Sequence, residues 1–218
     1  MTIIRQKTLY TGRVITLNLE TVKLPNGHVA DLEIIHHPGG AAIAALDDEG
    51  RVCLLRQFRH AAGGWIWELP AGKLEPAEPP LHTAQRELLE EAGREADNWL
   101  ALGSYVSSPG VFTEVVHLFL ATGLRKGNIS HEPAEAIEIH WIDFDEACAR
   151  ALNGEITSMH MAQGRKRTPV SSGEYPSTNW KYCVMRNVDP NIAKKINMIP
   201  ELAAENRGFR KNCTSSIG

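Results

Sequence analysis

Three glutamates within one short helical stretch constrain this chain more than any other part of its sequence. Residues 72–93 read GKLEPAEPPLHTAQRELLEEAG, in which Leu81, Ala84, Leu88 and Ala92 recur at the spacing of a helix packed along one side. Gly93 suits a left-handed C-terminal cap. Positions three and four apart share a side of a helix, so Glu87, Glu90 and Glu91 project toward a common region where like charges repel. Either water solvates that acidic face, or a cation removes the penalty. Hard carboxylate oxygens suit Mg²⁺ or Mn²⁺, and a Mg²⁺ site of this kind keeps waters and positions open for phosphate oxygens. For the three glutamates taken alone, the solvated face is the simpler reading.

The rest of the pattern is that of strands with few helices. Residues 14–24 and 29–36 are β-branched and apolar around Pro25-Asn26-Gly27, which predicts a hairpin. Two further strands are expected over 41–46 and 52–58, joined by a tight turn at Asp47-Asp48-Glu49-Gly50. Strands are also expected over 115–121 and 137–142, and Asp143 with Glu146 forms a capping box for a helix running to Leu152. Beyond Gly154 the pattern fades into residues 163–176, rich in Gly, Arg, Ser and Pro, with one short helix expected between Asn191 and Glu205. This divides the chain into an N-terminal β region (1–40), a main domain (41–160) and a tail (161–218).

Composition excludes several classes. With 43% apolar and 22% charged residues the chain is that of a globular protein, neither disordered nor fibrous. Its longest apolar runs, 41–46 and 117–121, fall far short of the roughly 20 residues of a membrane helix. Arg5 and Lys7 have no apolar block behind them, so a secretory signal is not expected and a cytoplasmic location is. Cys53, Cys148, Cys183 and Cys213 show neither CxxC spacing nor paired histidines, so reduced thiols are expected, with Cys53 and Cys148 in the core. The net charge of -3 conceals a basic tail, including Gly164-Arg165-Lys166-Arg167 and Asn179-Trp180-Lys181-Tyr182; a solvated surface is expected there rather than a nucleic-acid contact.

Residues 72–93 resemble the Nudix box, GX5EX7REUXEEXGU with U a bulky apolar residue: Gly72, Glu78, Arg86, Glu87, Leu88, Glu90, Glu91 and Gly93 all fall on it. Arg94 departs from it at the final apolar position, which puts local packing in question rather than the glutamates. The resemblance implies an α/β fold, a Nudix α/β/α sandwich with a mixed sheet, preceded here by the antiparallel hairpin. It also implies metal ligation by Glu87, Glu90 and Glu91, joined by the carbonyl of Ala71, with Mg²⁺ the expected metal and Mn²⁺ an alternative. Arg86 and Glu78 would brace loop against helix, since an arginine fork holds a carboxylate in fixed geometry. The implied chemistry is attack of a metal-activated water on a diphosphate.

Three further segments look like the ADP-ribose pyrophosphatase branch of that family: residues 67–73 (WELPAGK), Arg56-Gln57-Phe58-Arg59-His60, and Ser107-Ser108-Pro109-Gly110. The likeness spans roughly residues 11–152. By it, Arg59 and Arg56 bind the diphosphate, although a surface salt bridge is an equal reading of Arg56, and Pro109 marks the substrate loop. The general base is a carboxylate of the segment 130–137, with Glu135 preferred over Glu132 and with Glu114 a competitor. The branch also implies a homodimer in which Glu33 faces a partner's ligand. Trp65 and Trp67 are read as core more than as base-stacking residues, and His36, His37, His117 and His140 are assigned no chemistry. ADP-ribose is the expected substrate. Alternatives are UDP-glucose, GDP-mannose, NADH or a diadenosine polyphosphate, and an ADP-ribose sensor that binds without cutting.

Overall fold

The computed structural model describes residues 2–130 and 136–156. The N-terminal region forms β1 (Thr2–Thr11), β2 (Thr16–Lys23) and β3 (Val29–His36), an antiparallel sheet of its own in the order β1-β2-β3. The expected hairpin is its second half, closed by a turn in which Gly27 takes φ 84° and the Asn26 side chain accepts from the His28 amide. β1 did not show in the sequence because all of its residues are exposed, so no burial alternation marks it.

The main domain adds β4 (Gly40–Ala45), β5 (Arg51–Arg59), β6 (Gly64–Glu68), β7 (Ala71–Lys73), α1 (Pro80–Ala92), β8 (Arg94–Val106), β9 (Val115–Lys126), β10 (Ile137–Asp143) and α2 (Phe144–Asn153). Two sheets form, β7-β4-β9-β8 and β10-β5-β6. The first is mixed: β4 and β9 run parallel, from Gly40 opposite Val116 to Ala45 opposite Ala121, while its other pairs are antiparallel.

β4 and β5 are the middle layer, and their residues divide by parity. Ala41, Ile43, Ala45, Cys53 and Leu55 pack with Ala84, Leu88 and Ala92 of α1. Ala44, Leu46, Val52 and Leu54 pack with Phe144, Ala147, Cys148 and Ala151 of α2. A strand covered on both faces needs apolar side chains at every position, which is why 41–46 reads as an unbroken run. The outcome is the expected α/β/α sandwich, and both expected helices are present. Pro80 opens α1 where a fixed φ costs nothing, and Gly93 closes it at φ 59° with its amide on the Leu88 and Leu89 carbonyls. Asp143 caps α2 by accepting from the Asp145 and Glu146 amides at 2.9 and 3.1 Å.

β6 and β8 were not anticipated either. β6 is a short edge strand, and β8 is mostly exposed with a register shift between Ala101 and Gly103, so neither carries a clean period of two. Trp67, on β6, packs against the α2 cluster as expected of a core tryptophan, whereas Trp65 is exposed and meets Phe58 edge-on. Arg94 stacks its guanidinium over Trp141 at 5.3 Å and donates to the Gly93 carbonyl, which accommodates the charged residue at that position. Glu132, Glu135, Cys183, Cys213, the basic run and the helix expected between Asn191 and Glu205 lie outside the described residues.

The corner between β3 and β4 joins the N-terminal sheet to the main domain. The amide of Ile35 donates to the Val111 carbonyl, the Thr113 amide donates to the Ile35 carbonyl, and the His37 amide donates to the Thr113 hydroxyl. Gly39 then takes φ 92°, and a Cβ there would lie 2.7 Å from the Val115 carbonyl oxygen. Only glycine meets both conditions. Gly39→Ala is expected to lower stability by about 1–3 kcal/mol, measured by urea unfolding against wild type. An unchanged midpoint would show that the corner relaxes without cost.

Candidate active site

The side chain that organises the site is Arg86. Its Nε and Nη2 each donate to the Glu78 carboxylate at 3.2 Å, and Nη2 also reaches the Lys73 carbonyl at 3.2 Å. Nη1 donates to Glu87 Oε1 at 2.7 Å and to Glu90 Oε2 at 3.0 Å. One guanidinium thus ties the loop after β7 to two carboxylates of α1, the planar multi-point geometry that arginine offers and lysine does not. Glu78 is fixed further by the Thr83 hydroxyl at 2.8 Å. The Arg86 hydrogen bond, ahead of the smaller contributions, holds the Glu78 carboxyl down at about 2. The same carboxylates push the Arg86 guanidinium up against the opposing effect of burial.

Glycine and a backbone amide make room for the acids. Glu87 is 9% exposed and its carboxylate lies against Gly72, where an added Cβ would fall 1.8 Å from Oε1. Any side chain at 72 displaces Glu87. Glu91, 3% exposed, accepts from the Ala71 amide at 2.8 Å, and Glu90 is the more open of the three. Burial of neighbouring carboxylates is costly unless they are paired or hold a metal, and Arg86 supplies part of that compensation. Among the described residues no three His, Cys, Asp or Glu side chains already enclose a metal position. The donor set of hard oxygens from one helix face nevertheless suits a small divalent cation.

These groups line a cavity of about 380 Å³ together with Arg59, Lys73, Glu75, His37, Glu114, Val14 and Ser130. Five glutamates and three cationic side chains therefore face it. Arg59, at the end of β5, donates to buried Glu68 through Nε at 2.8 Å and Nη2 at 2.7 Å. Burial pushes the Glu68 carboxyl up and Arg59 draws it back. Ser130 donates its amide to the Glu90 carbonyl at 3.0 Å.

Of the residues singled out in the sequence, Glu87, Glu90, Glu91, Ala71, Arg59 and Glu114 line the cavity. Arg56 does not: it pairs with Glu138 at 3.0 Å and lies over Trp65 at 5.0 Å, the surface salt bridge weighed for it above. Glu33 is exposed on β3 and Pro109 is exposed in the β8–β9 loop; neither lines the cavity. His37 was passed over in the sequence and does line it, with Nδ1 3.3 Å from Glu114 Oε1. No local motif marks that pair, whose partners are far apart in the chain.

The NUDIX domain family matches residues 36–162. An ADP-ribose pyrophosphatase of Mycobacterium tuberculosis is 41% identical over 159 residues, covering 71% of this chain and 76% of that protein. A methanol dehydrogenase activator of Bacillus methanolicus is 42% identical over 123 residues, covering 56% and 66%. A solved structure described as an ADP compounds hydrolase superposes with a TM-score of 0.64 at 16% identity, over 91% of this chain and 96% of that one. That likeness speaks to the fold.

The Arg86 fork makes the site sensitive to acid. Because the folded Glu78 carboxyl sits near 2, below its unfolded range, its contribution is complete above roughly pH 4.3 and is lost as pH falls toward about 2. Glu78→Gln is expected to cost about 1.5–3 kcal/mol at pH 7, with the gap to wild type closing as pH falls through that window. Thermal melts of both proteins from pH 7 to pH 2 check this; a gap that does not depend on pH would place the stabilisation elsewhere.

Proposed function

Because the chain belongs to the NUDIX domain family and is a hydrolase of that kind, we propose that it cuts the diphosphate bond of ADP-ribose, releasing AMP and ribose 5-phosphate. The observation that carries this reading is the buried set Glu87 and Glu91, with Glu90 beside them, braced by Arg86 and opening on a cavity that Arg59 also lines. ADP-ribose is favoured by the WELPAGK, RQFRH and SSPG segments and by the likeness to the Mycobacterium tuberculosis protein.

In this proposal Glu87, Glu90 and Glu91, with the Ala71 carbonyl, hold a divalent cation, Mg²⁺ with Mn²⁺ as a substitute. When bound, that cation neutralises diphosphate oxygens and acidifies a water for attack on phosphorus. Arg59 presents a fork to the diphosphate, and its partner Glu68 fixes the guanidinium in place. Arg86 keeps the carboxylates of α1 aligned. Glu135 is the proposed proton acceptor, with Glu132 and Glu114, which lines the cavity, as its alternatives. Ser130, which opens the segment that carries Glu132 and Glu135, lines the cavity and donates its amide to the Glu90 carbonyl. Glu33 and Pro109 enter the proposal only through a homodimer, in which a second copy would bring them to the cavity; sedimentation gives its mass.

Release of AMP from ADP-ribose, with and without Mg²⁺, tests the reaction beside UDP-glucose, GDP-mannose, NADH and a diadenosine polyphosphate. Preferred cleavage of another compound would keep the chemistry and move the substrate. Saturable binding of ADP-ribose with no cleavage of any would mark a sensor. The double variant Glu90→Gln/Glu91→Gln is expected to lose roughly two orders of magnitude or more in kcat/KM while keeping its fold by circular dichroism. Undiminished turnover in it would remove the metal assignment.

A further inference from the structure

The chain closes back on the helix that carries the acids. β8 leaves α1 directly through Gly93 and runs antiparallel to β9, with Arg94 opposite Lys126. This pairing returns residues 127–130 to the C-terminal end of α1. The Gly127 amide donates to the Gly93 carbonyl and the Ser130 amide to the Glu90 carbonyl, each at 3.0 Å. Ile129 lies over Gly93, where an added Cβ would fall 2.6 Å from its Cγ1. Gly127 itself passes so near the half-buried Leu89 that a Cβ there would collide with Leu89 Cδ1.

The last carbonyls of a helix find no donor within it. Gly93 supplies its amide to Leu88 and Leu89, and for Glu90 the donor is Ser130, in place of a further turn of helix. Ser130 and Glu90 both line the cavity. The acidic face of α1 has its own supports, because Arg86 holds the Glu87 and Glu90 carboxylates and the Ala71 amide holds that of Glu91. What the bond to Glu90 fixes is therefore Ser130, and with it the start of the segment to which the preferred proton acceptor belongs. Gly127 permits that approach, since a side chain there must push either Leu89 or the segment aside.

We propose that Gly127 is a positioning residue: it lets residues 127–130 clamp across the end of α1, so that Ser130 is held at Glu90 and the segment that follows starts from a fixed point beside the acids. The proposal rests on the hydrolase reading above and adds to it the element that sets where the proton acceptor's segment begins. Misplacing a reacting group by about 1 Å can cost two orders of magnitude in rate, so a displaced clamp acts on kcat first. Metal and ligand binding should be spared, because Glu87, Glu90, Glu91 and Arg59 are held by Arg86, the Ala71 amide and Glu68, which belong to other elements.

The test uses the full chain carrying Gly127→Val, with Gly127→Ala as a milder form and Gly127→Val/Leu89→Ala as a compensated pair in which the space taken at 127 is returned at 89. Gly127→Val is expected to lower kcat by roughly tenfold or more on ADP-ribose, or on whichever of the compounds above wild type prefers. KM and the Kd for Mg²⁺, titrated calorimetrically without substrate, should each stay within about threefold of wild type. Gly127→Ala should lose less, and the compensated pair should recover most of kcat. A second readout needs no turnover: exchange of the Ser130 backbone amide, followed by NMR, should quicken by roughly an order of magnitude or more in Gly127→Val and slow again in the pair. A purely structural role for Gly127 would lower the melting temperature and weaken Mg²⁺ binding along with kcat, and the pair, which also loses the Leu89 packing, would not recover. That parallel loss, an unchanged kcat, or Ser130 exchange that does not respond would overturn the proposal. A wild type that cleaves none of the compounds would remove the hydrolase reading, and the clamp would then stand or fall on Ser130 exchange alone. Turnover in wild type with kcat and exchange both unmoved by Gly127→Val would remove the clamp and leave the hydrolase.

Discussion

Everything distinctive in this molecule depends on holding carboxyl groups side by side in a place that water hardly reaches. Glu87 and Glu91 sit at 9% and 3% exposure on a helix whose other buried residues are Thr83, Ala84, Leu88 and Ala92. Left to themselves they would be repelled from each other and from the interior. Arg86 offsets this by holding Glu87 and Glu90 with one nitrogen while its other nitrogens grip Glu78 and the Lys73 carbonyl. The loop from β7 to α1 is thereby fixed to the helix it precedes. Gly72 and the Ala71 amide are part of the same device: where β7 passes the helix, the glycine leaves room for Glu87 and the amide donates to Glu91.

The middle layer explains why the helix can be held so firmly. β4 is composed of small and branched apolar residues, GAAIAA, and is buried along its whole length. Small side chains let α1 approach closely on one face while α2 covers the other, so the acidic face of α1 is set against the end of β7 by packing as well as by charge.

Local signals in the chain are the ones that could be read beforehand. The Asn26-Gly27 turn, the Asp47 turn, the Gly93 cap and the Asp143 cap each depend on a few adjacent residues, and each is found where those residues stand. β1 and β8 escaped because their side chains are largely exposed and no face is selected by burial. Within the site, the glutamates, Arg86 and Glu78 belong to one contiguous motif and were legible together. His37 was not, since its meaning comes from Glu114, and the two meet only because Gly39 turns the chain against Val115. Arg56 carried two readings that no local pattern separates; its pairing with Glu138 depends on β5 lying beside β10.

The parallel pairing of β4 with β9, and the antiparallel pairing of β5 with β10 in the other sheet, have a consequence for how the chain acquires its structure. Ala41 finds its neighbour at His117, and Val52 finds its own at Ile142. During synthesis the centre of the molecule is thus made long before the strands that enclose it. The N-terminal sheet can close early, being built from successive hairpins, whereas the interior waits on distant partners and pays the loop entropy first. A waiting strand is an invitation to mispair. β4 waits with four alanines and glycine in its six positions, a low-bulk composition that offers little grip to a stray partner. The same smallness that lets the helices close on it in the finished fold protects it while it is still alone.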